Sequence, residues 1–276
     1  ISDIAHQAGR DDIYTQPNPS YLQVEVVALS GQTLPFAVND GMTLQVKDST
    51  GTYKTLFGGN ITDITVEVSN TGSIATVVSY TILAMGALVK LAKEVYDGTL
   101  SQDFDGNQIE TILREVLFGT WAQVAGAETW ATYDPTITWA NAENNGLGEI
   151  DQPGNYELAA RSSSRTDVYS LVSALATSGL GYIYENAQGQ ISYADSTHRS
   201  TYLAVNGYTD VSGAQALAPG IKIQTRAGDV RNDVTIKYGA NSSSEVNDAD
   251  LASVAVFGRL AQIISTTLHD QVDAES

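Results

Sequence analysis

The 276-residue chain contains no cysteine and only three histidines, and these absences remove several kinds of chemistry at once. Without a thiol there can be no disulfide, no thiolate zinc site and no cysteine nucleophile. His6, His198 and His269 lie far apart in the chain, so no histidine-rich metal motif is visible. The Gly-x-Ser-x-Gly turn of many serine hydrolases is missing as well. We therefore expect a protein that is not an enzyme and that holds no cofactor and no metal ion.

Basic residues are scarce: 14 Lys and Arg stand against 32 Asp and Glu, which gives a formal net charge of −18. A chain this acidic repels the phosphates of nucleic acid, so DNA binding is not expected. No apolar run approaches the length of a membrane-spanning helix. Hydrophobic residues nevertheless make up 42% of the chain, which is enough for a folded core.

Residues 1–97 are predicted to form a first tube-like β-barrel domain. Apolar and polar residues alternate in four runs, a pattern typical of strands with one face on a core and the other in water. The apolar positions are Leu22, Val24 and Val26, then Met42, Leu44 and Val46, then Ile64, Val66 and Val68, and finally Val78, Tyr80 and Ile82. Turns rich in Gly, Asn and Ser separate the runs, as in a compact barrel or sandwich.

Residues 98–218 are predicted to form an α+β insertion domain. Two helical stripes are visible, one from Ile109 to Leu117 and one from Val168 to Leu175, and we expect Asp105 and Thr166 to be their N-caps. The second helix should end at Gly179. A hairpin follows, with strands at Tyr182–Tyr184 and Ile191–Tyr193. The irregular stretch between the helices contains all three tryptophans.

Residues 219–276 are predicted to hold the returning strands of a second β-barrel, truncated at its C-terminal end. The expected strands are Ile221 to Ile223, Val234 to Tyr238, Val254 to Phe257 and Ile263 to Leu268. A helix should begin near Asp270. The predicted fold class is therefore mainly β, with an α+β insertion.

Several short motifs resemble the minor tail proteins of long-tailed bacteriophages. They occur in order along nearly the whole chain: Gly9 to Pro17 (GRDDIYTQP), Leu56 to Asp63 (LFGGNITD), Ala127 to Ala131 (AETWA), Asn144 to Ile150 (NNGLGEI), Gly228 to Val234 (GDVRNDV) and Phe257 to Leu260 (FGRL). The resemblance implies tube-like β-barrel domains of the phage tail-hub type, similar in fold to the hub of the T-even baseplate. The resemblance implies no catalytic residues for this chain.

The resemblance also implies a role. A hub of this kind is a structural protein that caps the tail tube at the tail tip of the virion, connects it to the host-recognition apparatus and forms part of the channel for genome ejection. The expected partners are further copies of the chain, as a ring and most simply a trimer, together with the distal tail, tail tube, tape measure and tail fibre or receptor-binding proteins. DNA would pass through without specific binding, and an acidic channel wall would keep it from sticking. Asp63 and Glu67, on a polar strand face, are the candidate acids of that wall.

Trp121, Trp130 and Trp139 suggest an alternative function, because exposed aromatic rings can stack on sugars. In that case the chain would be a carbohydrate-binding module for host recognition. The other interpretation is that these side chains anchor an irregular loop to the α+β domain.

Two acidic motifs have residue types that occur in metal or catalytic sites. The segment from Asp103 to Asn107 resembles a calcium-binding loop. Gly106 comes too early in it and Glu110 lies too close for the spacing of an EF-hand, so a helix cap is favoured. Glu149 and Asp151 could form a carboxylate pair, but they are predicted to lie in a solvated loop with no partner base.

Overall fold

Five antiparallel strands form the first sheet of the computed structural model, which describes residues 1–10, 15–29, 35–70, 76–116, 147–208 and 230–276. The strands are β1 (Asp3–Gly9), β2 (Asn18–Leu29), β3 (Gly41–Lys47), β4 (Tyr53–Asn70) and β5 (Thr76–Met85). Their order in the sheet is β1-β2-β5-β4-β3. All four alternating runs of the sequence are therefore strands, as predicted.

The first sheet buries one face around a small core. Leu22, Val24, Phe57, Ile61, Ile82 and Ala84 form this core. The register places Val24 opposite Ile82 and Ile82 opposite Ile64, so the alternation puts these side chains on one face. The predicted core positions Val46, Val66 and Val68 are exceptions, since they are 47%, 52% and 64% exposed. Val66 and Val68 lie near the end of β4. The strand continues past the covered part of the sheet, and its apolar face there lies in solvent.

The central region, from residue 88 to residue 208, combines helices with short strands. Its helices are α1 (Leu88–Leu91), α2 (Asp105–Arg114), α3 (Val168–Ser178) and α4 (His198–Asn206). Its strands are β6 (Val95–Tyr96), β7 (Asp103–Phe104), β8 (Leu147–Ile150), β9 (Glu157–Leu158), β10 (Thr166–Asp167), β11 (Tyr182–Glu185) and β12 (Ile191–Ala194). The predicted hairpin is β11 and β12, and β8 pairs with the other side of β12 in parallel. These three strands form the central sheet, in the order β11-β12-β8.

The larger core of the protein lies between α2, α3 and this hairpin. The predicted stripes are buried there: Ile109, Ile112 and Leu113 from α2 with Val116 just after it, and Val168, Leu171, Val172 and Leu175 from α3. As predicted, α3 ends at Gly179, which occupies its C-cap.

Both predicted N-caps of these helices are wrong. The N-cap of α2 is Phe104, and Asp105 is the first helical residue, with its carboxylate turned into the core. The N-cap of α3 is Asp167, whose side chain accepts a hydrogen bond from the Ser170 amide at 2.8 Å. The hydroxyl of Thr166 instead accepts a hydrogen bond from Arg161.

A third sheet, of three strands, lies at the C-terminal end of the described residues. Its strands are β13 (Asp233–Tyr238), β14 (Ser244–Ala249) and β15 (Ala261–Ser265), in the order β14-β13-β15. β14 pairs with β13 antiparallel and β15 pairs with it parallel, so the chain crosses over from one side of β13 to the other. The helix α6 (Gln271–Glu275) follows, with Asp270 as its N-cap, as the sequence predicted.

The crossover contains α5 (Leu251–Phe257), where a strand had been predicted from Val254 to Phe257. That prediction is wrong because the segment is capped at both ends. The Asp250 side chain accepts hydrogen bonds from the amides of Ala252 and Ser253, and Gly258, at φ 75°, ends the helix. The prediction from Ile263 to Leu268 is right for the first half, since β15 ends at Ser265. The predicted strand at Ile221 to Ile223 lies outside the described residues.

The fold is mainly β with an α+β part, in agreement with the predicted class. Within the described residues the first and third sheets stay open, and neither closes into a barrel. None of the described helices is long and apolar enough to cross a membrane.

Candidate assembly surfaces and the junction between the sheets

The carboxylate of Glu185 joins the first sheet to the central region. Glu185 ends β11 and is largely buried. One of its oxygens accepts hydrogen bonds from the Ser20 amide at 2.8 Å and from the Ser20 hydroxyl. The other accepts from the Leu88 amide at 2.6 Å, at the start of α1. Burial raises the pKa of Glu185, and these hydrogen bonds act in the opposite direction.

Glycine at position 86 makes this junction possible, because a side chain there would collide with the Glu185 carboxylate. Gly189, in the β11–β12 turn, likewise packs directly against the backbone of Gly58 and has φ +82°, a conformation that favours glycine. Two backbones therefore meet without intervening side chains. The contacts hold the hairpin on the first sheet in one orientation.

Further contacts around residue 16 extend the junction. The Gln16 side chain accepts from the Ile183 amide at 3.1 Å and donates to the Gly181 carbonyl at 3.1 Å. The Tyr169 hydroxyl donates to the Pro17 carbonyl at 2.7 Å. These bonds connect β11 and α3 to the segment that leads into β2, so the first sheet and the central region behave as one packed unit.

Asp105 has the most deeply buried carboxylate among the described residues of the central region. It accepts hydrogen bonds from the Asn155 amide at 2.8 Å, from the Tyr156 amide at 3.2 Å and from the Tyr193 hydroxyl. Burial raises the pKa of the Asp105 carboxyl. Burial also raises the pKa of the Tyr193 hydroxyl, and the negative charge of Asp105 raises it further. The group ties α2, the 151–156 loop and β12 together, which is a structural role.

Unpaired strand edges are the main surface feature of the two open sheets. β1 and β3 pair on one side only among the described residues, and β14 and β15 do the same in the third sheet. Exposed apolar side chains accompany the edges: Ile4 on β1, Val46 on β3 and Ile263 on β15. A row of free backbone N–H and C=O groups beside apolar side chains is a template for pairing with another strand.

Asp63 and Glu67, the predicted channel acids, are both exposed on β4. Thr65 lies between them, opposite Thr81, and Thr81 is opposite Glu25 on β2. The register therefore places a third acid, Glu25, on the same polar face. Glu25 occupies a polar position in the alternating run of β2, and this position is the sequence signal that places it on the face of Asp63 and Glu67.

The other predicted site residues have different outcomes. Trp121, Trp130 and Trp139 lie outside the described residues. Glu149 is in β8, and Asp151 is the first residue of the loop that follows this strand, so the loop prediction is wrong for Glu149 and right for Asp151. The expectation that they have no partner base is wrong, since Nδ1 of His198 lies 2.7 Å from Oδ2 of Asp151.

Comparison with known proteins identifies the fold. No protein-family model matches the chain, and no curated protein matches it significantly. Solved structures do match. The tail protein from Neisseria meningitidis MC58 is 7% identical, with a TM-score of 0.58 over 99% of this chain and 68% of that one.

Two prophage proteins give further matches. The 43 kDa tail protein of prophage MuSo2 from Shewanella oneidensis is 10% identical, with a TM-score of 0.49 over 98% of this chain and 75% of that one. The prophage tail protein gp18 from Listeria monocytogenes EGD-e is 11% identical, with a TM-score of 0.49 over 95% of this chain and 65% of that one. The match to the Neisseria tail protein confirms, at the level of the fold, the resemblance seen in the sequence: this chain has the fold of a phage tail protein.

Proposed function

We propose that this protein is a structural component of the phage tail tip, where copies of the chain form a ring around the channel through which the genome leaves. The observation that carries the proposal is the set of strand edges on the first and third sheets that stay unpaired among the described residues. The Glu185 junction holds the first of these sheets against the central region. Open edges are a liability in a monomer, and closing a ring removes them. The fold shared with the Neisseria tail protein supports this assignment.

The ring is proposed to be a homotrimer, as in hubs of the T-even type, and to sit in the virion at the end of the tail tube. Its neighbours would be the distal tail and tail tube proteins, the tape measure protein and the tail fibre or receptor-binding proteins. The chain would act by position and shape, without converting a substrate.

The polar face of the first sheet is proposed to line the channel. Asp63 and Glu67 are exposed on it and Glu25 is half-buried there. No lysine or arginine belongs to the register pairs that join these residues across β2, β5 and β4. A negative wall would repel phosphates and let DNA pass without binding, because each phosphate contact to a cation would slow its exit.

The ring can be tested by measuring the mass of the purified chain with native mass spectrometry and light scattering. We expect a species of three times the 29.3 kDa chain mass. Val46→Lys and Ile4→Lys put a charge on the β3 and β1 edges and should shift the protein to monomer. Val38→Lys, at an exposed position outside the strands, is the matched control and should stay assembled.

A folded wild-type chain that stays monomeric at high concentration would contradict the ring. So would tail particles in which the density of this chain lies away from the central axis. Unchanged assembly in both edge variants would show that the edges are not the interface.

A further inference from the structure

Three potential metal ligands converge on one side of the central region. The side chains of Glu149, Asp151 and His198 each offer one donor atom, and these atoms lie within 4.8 Å of one another. Glu149 and Asp151 are two residues apart at the end of β8, and His198 is the first residue of α4. The imidazole Nδ1 faces the carboxylates and lies 2.7 Å from Asp151.

The protein scaffold fixes this arrangement. The Asp151 amide donates to the Tyr193 carbonyl at 3.1 Å, which holds Asp151 against β12. The Asp195 amide donates to the Asp151 carboxylate at 3.0 Å. Asp195 in turn accepts from the Thr197 amide and hydroxyl at 2.7 and 2.8 Å, which sets the turn that carries His198. Ligands oriented by such surrounding hydrogen bonds are typical of metal sites.

No lysine or arginine among the described residues that line the site balances its negative charge. A cavity of about 350 Å³ is lined by Glu149, Asp151 and Asp195, and among its described lining residues there is no lysine or arginine. Glu149 makes no hydrogen bond or ion pair with any residue that the structure describes. Glu149 and Asp151 also add to the burial effect that raises the pKa of nearby Tyr184. A divalent cation would neutralise this charge.

Helix α4 gives the site a structural purpose. None of its nine residues is buried, so apolar packing against the described part of the chain does little to hold it. Its described attachments are the His198–Asp151 contact and a bond from Asn155 to Ser196 in the preceding turn. A metal ion shared by β8 and the first residue of α4 would fix the helix to the sheet.

We propose that Glu149, Asp151 and His198 bind a divalent transition-metal ion that clamps α4 to the central sheet. One imidazole nitrogen with two carboxylate oxygens suits Zn²⁺, Mn²⁺ or Co²⁺, whereas Ca²⁺ and Mg²⁺ prefer ligand sets made only of oxygen. The metal would take the place of the hydrogen bond between His198 and Asp151, with the imidazole proton on Nε2. The proposal does not depend on the ring.

The test uses the whole chain, stripped with a chelator and titrated with ZnCl₂, MnCl₂ and CoCl₂, and separately with CaCl₂ and MgCl₂, by calorimetry and thermal unfolding. We expect one transition-metal ion per chain and a raised Tm. Glu149→Gln should bind at least about tenfold more weakly, since it removes one of three ligands. Its unfolding without metal should be unchanged, because this side chain has no described partner.

Glu245→Gln, at an exposed acid on β14, is the matched control and should bind like the wild type. His198→Asn should lose the preference for Zn²⁺ over Ca²⁺. Equal binding by wild type, Glu149→Gln and Glu245→Gln would mean adventitious binding only and would overturn the proposal. A site that prefers Ca²⁺ or Mg²⁺ in the wild type would overturn it too.

Discussion

Replacing Glu185 by glutamine tests the junction most directly, because the substitution keeps the size of the side chain and changes one acceptor to a donor. Three donors meet the Glu185 carboxylate: the Ser20 amide, the Ser20 hydroxyl and the Leu88 amide. The two amides point at different oxygens. Whichever way the glutamine amide is turned, its NH₂ group therefore faces a backbone N–H that has no other described acceptor.

The expected cost follows from these contacts. Losing a hydrogen bond to a charged acceptor and leaving a backbone N–H unsatisfied reduces the free energy of unfolding by about 2–4 kcal/mol. For a chain of this size the Tm should fall by about 4–12 °C. Amide hydrogen exchange at Leu88 and Ser20 should accelerate before exchange in the α2–α3 core, because the junction opens first.

Urea and thermal unfolding, followed by circular dichroism, measure the global effect, and hydrogen exchange with mass spectrometry measures the local one. Glu245→Gln is the control for loss of one negative charge at an exposed position. The reasoning would be refuted if Glu185→Gln unfolded like Glu245→Gln and left the exchange of the Leu88 and Ser20 amides unchanged.

Two further predictions concern other contacts. Asp250→Ala removes the N-cap of α5 and should lower the free energy of unfolding by about 1 kcal/mol. Amide hydrogen exchange should become faster in residues 251–257 and change little in α3. Exchange of the α5 amides at the wild-type rate would contradict the role of the cap. Burial raises the folded-state pKa of Asp105, so its stabilising contribution is full below the ordinary carboxyl pKa and declines as pH rises through the folded value. Asp105→Asn removes this pH dependence. The free energy of unfolding of the variant, measured with urea and compared with that of the wild type, should therefore become more favourable from acid to neutral pH. A difference that stays constant with pH would show that the pKa of Asp105 is not raised.

Strand alternation in the sequence was enough to locate β2 to β5, and helical periodicity was enough to locate α2 and α3. Both patterns reflect which side chains share a face. The patterns do not show how much of that face is packed against other residues. Val66 and Val68 continue the alternation of β4, yet their side chains are exposed to solvent. Burial at such positions depends on the layer packed above them, which is a tertiary property.

The segment from Val254 to Phe257 was misassigned because four consecutive apolar residues fit a buried strand as well as a helix. The signal that decides between them was present upstream, since Asp250 is a good N-cap residue and Gly258 a good helix end. For Asp105 the same capping logic gave the wrong result, because burial and three long-range hydrogen bonds outweighed a local cap.

The pairing of His198 with Asp151 could not have been predicted from the chain, since 47 residues separate them. The turn from Asp195 to Thr197 and the parallel pairing of β8 with β12 bring them together. The sequence around Glu149 and Asp151 contains no local pattern that reflects this turn or this strand pairing, so it does not indicate a nearby histidine.

The bond between Ser20 and Glu185 spans 165 residues, and this separation sets an order of events during synthesis. All five strands of the first sheet are complete by Met85, so they can pair while the ribosome is still translating the rest. At about 5–20 residues per second, the partner of Ser20 emerges roughly 8–33 s after Ser20 itself. During that interval the Ser20 amide lacks its Glu185 acceptor, and the part of the sheet against which Gly189 later packs is uncovered. A newly made chain therefore exposes the docking surface of its first sheet to neighbouring chains until its own second half arrives.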